Sequence, residues 1–307
     1  MMFLDREAVQ RLADYSSVID AIAAMYASGC DALDRMIMSQ PTSDGARGDF
    51  LMQPAWLKGR AFGIKIANVF PDNERRGLPS IMGIYVLFDG NTGEALGCID
   101  GPAETMVKTA CNSAVASRFL ARPEASTMLM MGAGELAPHL IKAHASIRPI
   151  RQVLIWNRSP EKAKVLAARL NRPGFKVEAV SDPAEAAFRA DLVSCATYAA
   201  QPILKGEWLK AGTHVDLVGS YRPDLREADD DVVRRAGRIF VDERSSTVGV
   251  SGDVIEPLDK GLSSGWKTSP TFSNWRRDAS PGGGRKARSR SSSQAAAGTK
   301  TLPPRFS

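Results

Sequence analysis

The chain has 307 residues, 44% of them apolar, which is enough for a real core and for two domains of ordinary size. Cys30, Cys98, Cys111 and Cys195 stand without Cys-x-x-Cys or Cys/His spacing, so neither a disulfide framework nor a zinc site is expected. The formal charge of +6 is uneven: nine Lys and Arg and one acid, Asp278, lie from Trp266 onward, which leaves 31 of the 40 bases and 33 of the 34 acids in residues 1–265 and gives that body no electrostatic reason to bind nucleic acid.

The first residues, "MMFLDREAVQ", carry Asp5 and Glu7 where a signal peptide wants an apolar stretch, and runs such as "IYVLF" are too short to cross a bilayer. A cytoplasmic protein without a membrane partner is expected. "REAVQRLADYSSVIDAIAAMYASG" has apolar residues at helical spacing and ends on glycine, which predicts one amphipathic helix. Strand-like runs follow: "RMIMS", "DFLMQPAW", "AFGIKIANVF", "SIMGIYVLFD" and "EALGCID". "DGNTG" between the last two supplies the positive-φ residues of a hairpin, so an antiparallel sheet is expected. "AETMVKTACNSAVASRFLA" then reads as a helix that ends before Pro123.

Beyond Pro123 strands and helices alternate: "TMLMM", "QVLIW", "VEAV", "DLVSCAT", "THVDLVG" and "RIFVD" are separated by helical stretches. That order predicts a doubly wound α/β domain of the Rossmann type, with a parallel sheet and right-handed crossovers. The domains expected are an N-terminal α+β domain over residues 1–122, a dinucleotide-binding domain over 123–262, and a tail over 263–307. The tail is basic and has Leu302 and Phe306 as its only large apolar side chains from Arg285 on, a composition that predicts no fold of its own.

"MLMMGAGELAPHLIKAHASI" carries the chemistry. Gly132, Gly134 and Ala137 form G-x-G-x-x-A between an apolar strand and a helix. Gly132 allows a sharp turn, Gly134 lets the backbone approach a pyrophosphate, and Ala137 permits close packing of helix on strand. Pro138 is compatible with the first helical turn, whose N–H groups have no internal acceptor. An NAD site wants an acid about 20 residues on, to accept from the ribose hydroxyls. Here the second strand leads into Asn157, Arg158 and Ser159, and Arg158 can pair with a 2′-phosphate, so NADP(H) is favoured over NAD(H). Cys195 and Thr197 fall at the carboxyl end of a strand, where ligands of such sheets bind. His139 and His144 read as helix-surface or satisfied structural groups, as does His214 at a strand start, and Asp224, Arg226 and Glu227 as loop and helix-start residues.

From about Arg35 to Pro257 the sequence resembles the ornithine cyclodeaminase and mu-crystallin family, through "GIKIANVFPDN", "GLPSIMGIYVLFDGNTGEAL", "TMVKTA", "MGAGELA", "WNRSPEKA" and "GTHVDLVGSYRPDLREAD". The resemblance implies a homodimer whose N-terminal domain supplies both the subunit interface and the substrate pocket, with the nicotinamide lying between the domains. It puts Arg35, Lys65 and Lys108 around a substrate carboxylate, although the family usually has Arg where Lys108 stands. The cofactor set it completes is Gly132, Ala133, Gly134, Glu135, Leu136, Asn157, Arg158, Ser159, Thr109, Ala196, Thr197, Val218 and Gly219.

Cyclodeaminases carry an aspartate where this chain has Tyr221, and "GS-x-RPD-x-RE" is similar to mu-crystallin and its ketimine reductase relatives. Tyr221 is therefore grouped with the candidate catalytic residues Arg35, Lys65 and Lys108, and Lys65 is the candidate proton donor. The activity implied is NADPH-dependent reduction of a small cyclic imino acid, 1-pyrroline-2-carboxylate or 1-piperideine-2-carboxylate, to proline or pipecolate. Ornithine cyclodeamination, alanine dehydrogenase-like amination, and NADPH binding without turnover stay open beside it. From near Gly265 the family's pattern stops, yet "WKTSPTFSNWRRDASPGG", back-translated with permitted codons and read two bases later, can spell the family's D-L-F-x-L and P-G-R motifs. A frameshift is the expected origin of the tail.

Overall fold

The computed structural model describes residues 1–28, 31–32, 36–43, 45, 47–236, 238–242, 247–262 and 292–295. Two compact units result, divided within one helix between Lys108 and Thr109 rather than at Pro123, with Tyr15–Ala23 belonging to the second. Arg35 and Cys30 lie outside the described residues.

The first unit holds β1 (Met2–Leu4), α1 (Arg6–Leu12), β2 (Asp31–Ala32), β3 (Met36–Pro41), β4 (Arg47–Leu57), β5 (Ala61–Val69), β6 (Ile81–Asp89) and β7 (Ala95–Asp100). The sheet runs β1-β7-β6-β5-β4-β2, with β3 also on β4, and is antiparallel except for β1 against β7. The predicted hairpin joins β6 to β7: Asp89 Oδ1 accepts the N–H groups of Asn91 and Thr92, and Gly93 takes φ +76°. The single N-terminal helix expected from periodicity is two helices. Asp5 caps α1 by accepting the Ala8 N–H, α1 stops at Leu12, and α2 (Tyr15–Ser28) starts after Asp14, at a position where an aspartate favours helix initiation. Hydrophobic spacing runs through such a break unchanged, so the pattern alone did not reveal it.

α3 (Gly101–Leu120) leads into the second unit. There follow β8 (Thr127–Met131), α4 (Ala137–Ile147), β9 (Gln152–Trp156), α5 (Pro160–Leu170), β10 (Lys176–Ala179), α6 (Pro183–Arg189), β11 (Leu192–Cys195), β12 (His214–Leu217), α7 (Asp230–Ala236), β13 (Arg238–Val241), α8 (Gly252–Asp259) and β14 (Ser292–Ala295). All seven strands are parallel, in the order β10-β9-β8-β11-β12-β14-β13. Chain order reverses at β8, which makes the doubly wound topology expected and sets a ligand crevice at the carboxyl ends of β8 and β11. Met128–Met131, Val153–Ile155 and Leu192–Val193 are fully buried, as strands covered on both faces must be, and each such side chain contributes about 1.5–3 kcal/mol.

α3 docks through a polar stripe. Asn112 donates to Asp242 Oδ2 at 3.1 Å, Ser113 to Asp216 Oδ1 at 3.1 Å, and Ser117 Oγ lies 2.9 Å from His144 Nδ1. The tail departs from expectation in one place. Ser292–Ala295 is a strand between β12 and β13, although its composition predicts none; parallel pairing uses only backbone groups, which any residue but proline supplies. The other tail residues from 263 on lie outside the described residues.

Candidate functional site

In the second unit, β8 ends at Met131 and the chain turns at Gly132, whose φ of +117° side chains rarely adopt. A Cβ there would sit 2.5 Å from Ala196 O and 3.2 Å from Thr197 Cγ2. The turn is stitched to the end of β9: Gly132 N–H donates to Trp156 O at 2.8 Å and Ala133 N–H to Asn157 Oδ1 at 3.2 Å. Gly134 is exposed, with nothing within 4 Å of the position a Cβ would take, so there is room for a phosphate against the backbone. The N–H groups of Gly134 and Leu136 find no acceptor among the described residues. With exposed Glu135 they precede α4, whose first turn holds Pro138 and whose dipole favours an anion at this end. Thr109 Oγ1 is buried and has no partner among the described residues, as a hydroxyl meant for a ligand would be.

At the end of β9, Asn157 Nδ2 also donates to Ser159 O at 2.9 Å. Arg158 and Ser159 are exposed, and Arg158 makes no hydrogen bond or ion pair among the described residues. The residues present thus fit a dinucleotide: open space at Gly134, free amides, and an unengaged guanidinium one strand over.

The other half of the crevice is built differently. Ala196 N–H donates to Met131 O and Val218 N–H to Cys195 O, both at 2.9 Å, which carries the sheet one step past its strands. Glu227, fully buried, accepts at Oε1 from the N–H and the hydroxyl of Thr197 and at Oε2 from the N–H of Gly219, each at 2.7 Å. Asp253 Oδ1 in turn accepts the N–H groups of Glu227 and Ala228, both at 2.9 Å. Burial pushes Glu227 up to about 8, with the Asp253 charge adding to the shift, and burial raises Asp253 to about 6. Arg226 is buried and ion-paired with Asp230 and Glu256. Arg226 and Glu227 lie in the loop before α7, as expected, but their side chains are interior groups. Burial likewise drives the Cys195 thiol far up, so it is inert.

Tyr221 follows β12, its hydroxyl against that of Tyr198 and the two rings edge-on with centroids 5.3 Å apart. Arg222 lies 5.9 Å over the Tyr198 ring and pairs with Asp224. The histidines take structural positions: His139 Nδ1 meets Tyr15 OH at 2.8 Å, His144 is buried on α4 and not on its surface, and His214 is buried at the start of β12, as expected. His144 Nε2 lies 3.4 Å from Asp216 Oδ2, and burial holds His214 down at about 4 and neutral.

The first unit holds the other candidate residues. Lys65, on β5 between Gln53 and Tyr85, donates to Thr105 Oγ1 at 2.5 Å and lies 4.0 Å from Glu104 Oε2. Lys108 follows Glu104 and Thr105 by one helical turn, half-buried and without a hydrogen bond or ion pair among the described residues. Lys65 thus reaches the helix α3 one turn before Lys108, while Arg35 lies outside the described residues. Glu104 and Thr105, which hold Lys65, carried no sequence signal; a carboxylate on an amphipathic helix reads as solvated surface.

Strand order, switch point and glycine turn define a doubly wound, dinucleotide-binding class of protein. The sequence profile of the ornithine cyclodeaminase/mu-crystallin family matches residues 1–265, and the chain belongs to that family. It is 39% identical over 215 residues to the Delta(1)-pyrroline-2-carboxylate reductase of Paracoccus denitrificans, covering 70% of this chain and 68% of that one. With the Colwellia psychrerythraea enzyme of the same name it shares 30% identity over 262 residues, covering 84% and 82%. Among solved structures, the Thermococcus litoralis Delta(1)-pyrroline-2-carboxylate reductase, in complex with NADH and L-proline, superposes with a TM-score of 0.82 at 26% identity, covering 96% and 92%.

Proposed function

We propose that this chain is an NADPH-dependent reductase of small cyclic imino acids, converting 1-pyrroline-2-carboxylate to proline and 1-piperideine-2-carboxylate to pipecolate. It is an oxidoreductase acting on C=N bonds. The observation that carries the choice of reduction over deamination lies after β12, where the position that would hold a base offers the phenol of Tyr221. The nearby acids are engaged: Asp224 pairs with Arg222, and Glu227 is buried among backbone donors. Neither of these two carboxylates is left to act on an amine and a water.

A reduced nicotinamide supplies the hydride when bound. The residues of the chain bind and orient. The Gly132–Leu136 turn and the start of α4 take the pyrophosphate, and Arg158 takes a 2′-phosphate, which is the basis for preferring NADP(H). Thr109, Ala196, Thr197, Val218 and Gly219 complete the cofactor set. Arg35, Lys65 and Lys108 hold the substrate carboxylate, and the Lys65 ammonium supplies the proton at the ring nitrogen. NADPH oxidation on addition of 1-pyrroline-2-carboxylate, with chiral analysis of the proline formed, tests this reading. Ammonia release from ornithine, or NADPH binding with no turnover of either ketimine, overturns it.

A homodimer is supported by the apolar side chains exposed on the first unit, among them Met36, Ile37 and Met38 on β3 and Met82 and Ile84 on β6. Light scattering at micromolar concentration tests it. No described helix is long and apolar enough to cross a membrane, and a cytoplasmic location is proposed with neither membrane nor nucleic acid as partner. Residues 263–307 are read as the product of a shifted frame, supported by the family match that ends at residue 265. Resequencing the gene decides it; an unbroken native frame through codon 307 refutes the shift.

A further inference from the structure

We propose that Glu227 is a positioning residue of the dinucleotide site: its buried carboxyl group ties Thr197 to Gly219 and so fixes the two strand-end loops that receive the nicotinamide half of the cofactor. The inference rests on the reading of this crevice as a dinucleotide site. The strand order assigns the halves. The glycine turn after β8 takes the pyrophosphate, the ribose beside the β9 end belongs to the adenosine, and the remaining half falls across β11 and β12.

Three donors converge on this one side chain at 2.7 Å: Thr197 N–H and Thr197 Oγ on Oε1, and Gly219 N–H on Oε2. Thr197 and Gly219 follow adjacent strands, so the carboxyl group spans the gap that the sheet leaves where its ladder ends. The fit is close. A Cβ on Gly219 would lie inside van der Waals contact of Thr197 O and 2.6 Å from Glu227 Oε1. Thr197 also touches the glycine turn, since its Cγ2 would be 3.2 Å from a Cβ on Gly132. Glu227 is itself fixed from behind by Asp253, which accepts its N–H, while its carbonyl accepts the N–H groups of Ile203 and Leu204 at 2.9 and 3.0 Å.

The clamp holds in either protonation state. As a carboxylate Glu227 accepts all three hydrogen bonds. As a neutral acid it turns its proton on Oε1 toward Thr197 Oγ and still accepts both backbone N–H groups. A glutamine cannot do this: whichever way its amide lies, an NH2 group faces the N–H of Thr197 or of Gly219, and one loop is pushed away.

The test is calorimetric titration of the full chain and of Glu227→Gln, with no turnover involved. The ligands are whichever of NADPH and NADH the wild type binds more tightly, and the corresponding 2′-phospho-ADP-ribose or ADP-ribose, which lacks the nicotinamide. The expected result is a roughly tenfold weaker Kd for the dinucleotide, with the Kd of the truncated ligand unchanged within about twofold. Should Glu227→Gln fail to give a cooperative melt, Thr197→Val decides. It keeps the shape, removes one of the three donors, and is expected to weaken the dinucleotide selectively by about threefold. Equal losses for both ligands, or no loss for either, overturn the role of Glu227 while leaving the dinucleotide site standing. A wild-type chain that binds neither dinucleotide overturns the site reading and this inference with it.

Discussion

Asn157 Oδ1 accepts the Ala133 N–H at 3.2 Å, so one side chain holds the glycine turn after β8 to the strand end that presents Arg158. Asn157 keeps the loop in place and Arg158 is exposed beside it, which makes cofactor choice separable from loop structure. Arg158→Ala is expected to leave the melting temperature unchanged and to remove about 1.5–3 kcal/mol of preference for NADPH over NADH, the size of a charge-assisted contact. Paired Kd measurements check it; equal affinities in the wild type contradict the 2′-phosphate assignment.

The two glycines of the turn should separate stability from binding. Gly132→Ala forces an L side chain to φ +117° with its Cβ 2.5 Å from Ala196 O, and is expected to cost about 3 kcal/mol of folding stability. Gly134→Ala meets nothing within 4 Å, so stability should stay within about 0.5 kcal/mol while dinucleotide affinity falls at least roughly tenfold. Urea melts and titrations of both variants provide the comparison.

Charge in the first unit should divide between binding and chemistry. Lys108, a half-buried cation with no partner among the described residues, is expected to act on ground-state binding. Lys108→Met should raise the KM for 1-pyrroline-2-carboxylate roughly 10- to 100-fold with a smaller fall in kcat. Lys65→Met should lower kcat as well, because a proton donor is lost with the charge. A Lys65→Met enzyme with unchanged kcat would transfer the donor role elsewhere.

Stability should fall as pH rises from 6.5 to 8.5. Glu227 titrates near 8 when folded, against 4.5 as its ordinary value, so the folded state holds the proton more tightly. That contribution is fully present below pH 4.5 and is lost as pH passes through 8. His214 has the opposite sign, since its folded value near 4 lies below 6.5, and its contribution is lost as pH falls through that lower window. Above pH 6.5 the slope therefore belongs chiefly to Glu227. Melting temperatures measured across this range should decline in the wild type and decline less in Glu227→Gln.

Reaction outcome bears on Tyr221. With its hydroxyl against Tyr198 and Asp224 beside it paired with Arg222, ornithine should release no ammonia, while 1-pyrroline-2-carboxylate should yield a single proline enantiomer. An ammonia assay and chiral chromatography read the two products.

The sequence by itself determined what is local and periodic. Gly132, Gly134 and Ala137 lie within one turn, the β6–β7 hairpin within five residues, and the alternation of strands with helices follows from burial on one face or two. Such features are fixed by backbone sterics and hydrophobic spacing, which neighbouring residues settle among themselves. The tertiary structure decided what distant residues do to one another. The carboxyl group of Glu227 reaches Thr197 across 30 positions, Asn112 reaches Asp242 across 130, and Ser292–Ala295 is a strand because β12 and β13 leave a slot between them. Nothing in "RPDLREAD" distinguishes a solvated glutamate from a buried one, because the desolvation that marks Glu227 comes from strands and helices that the local sequence does not contain.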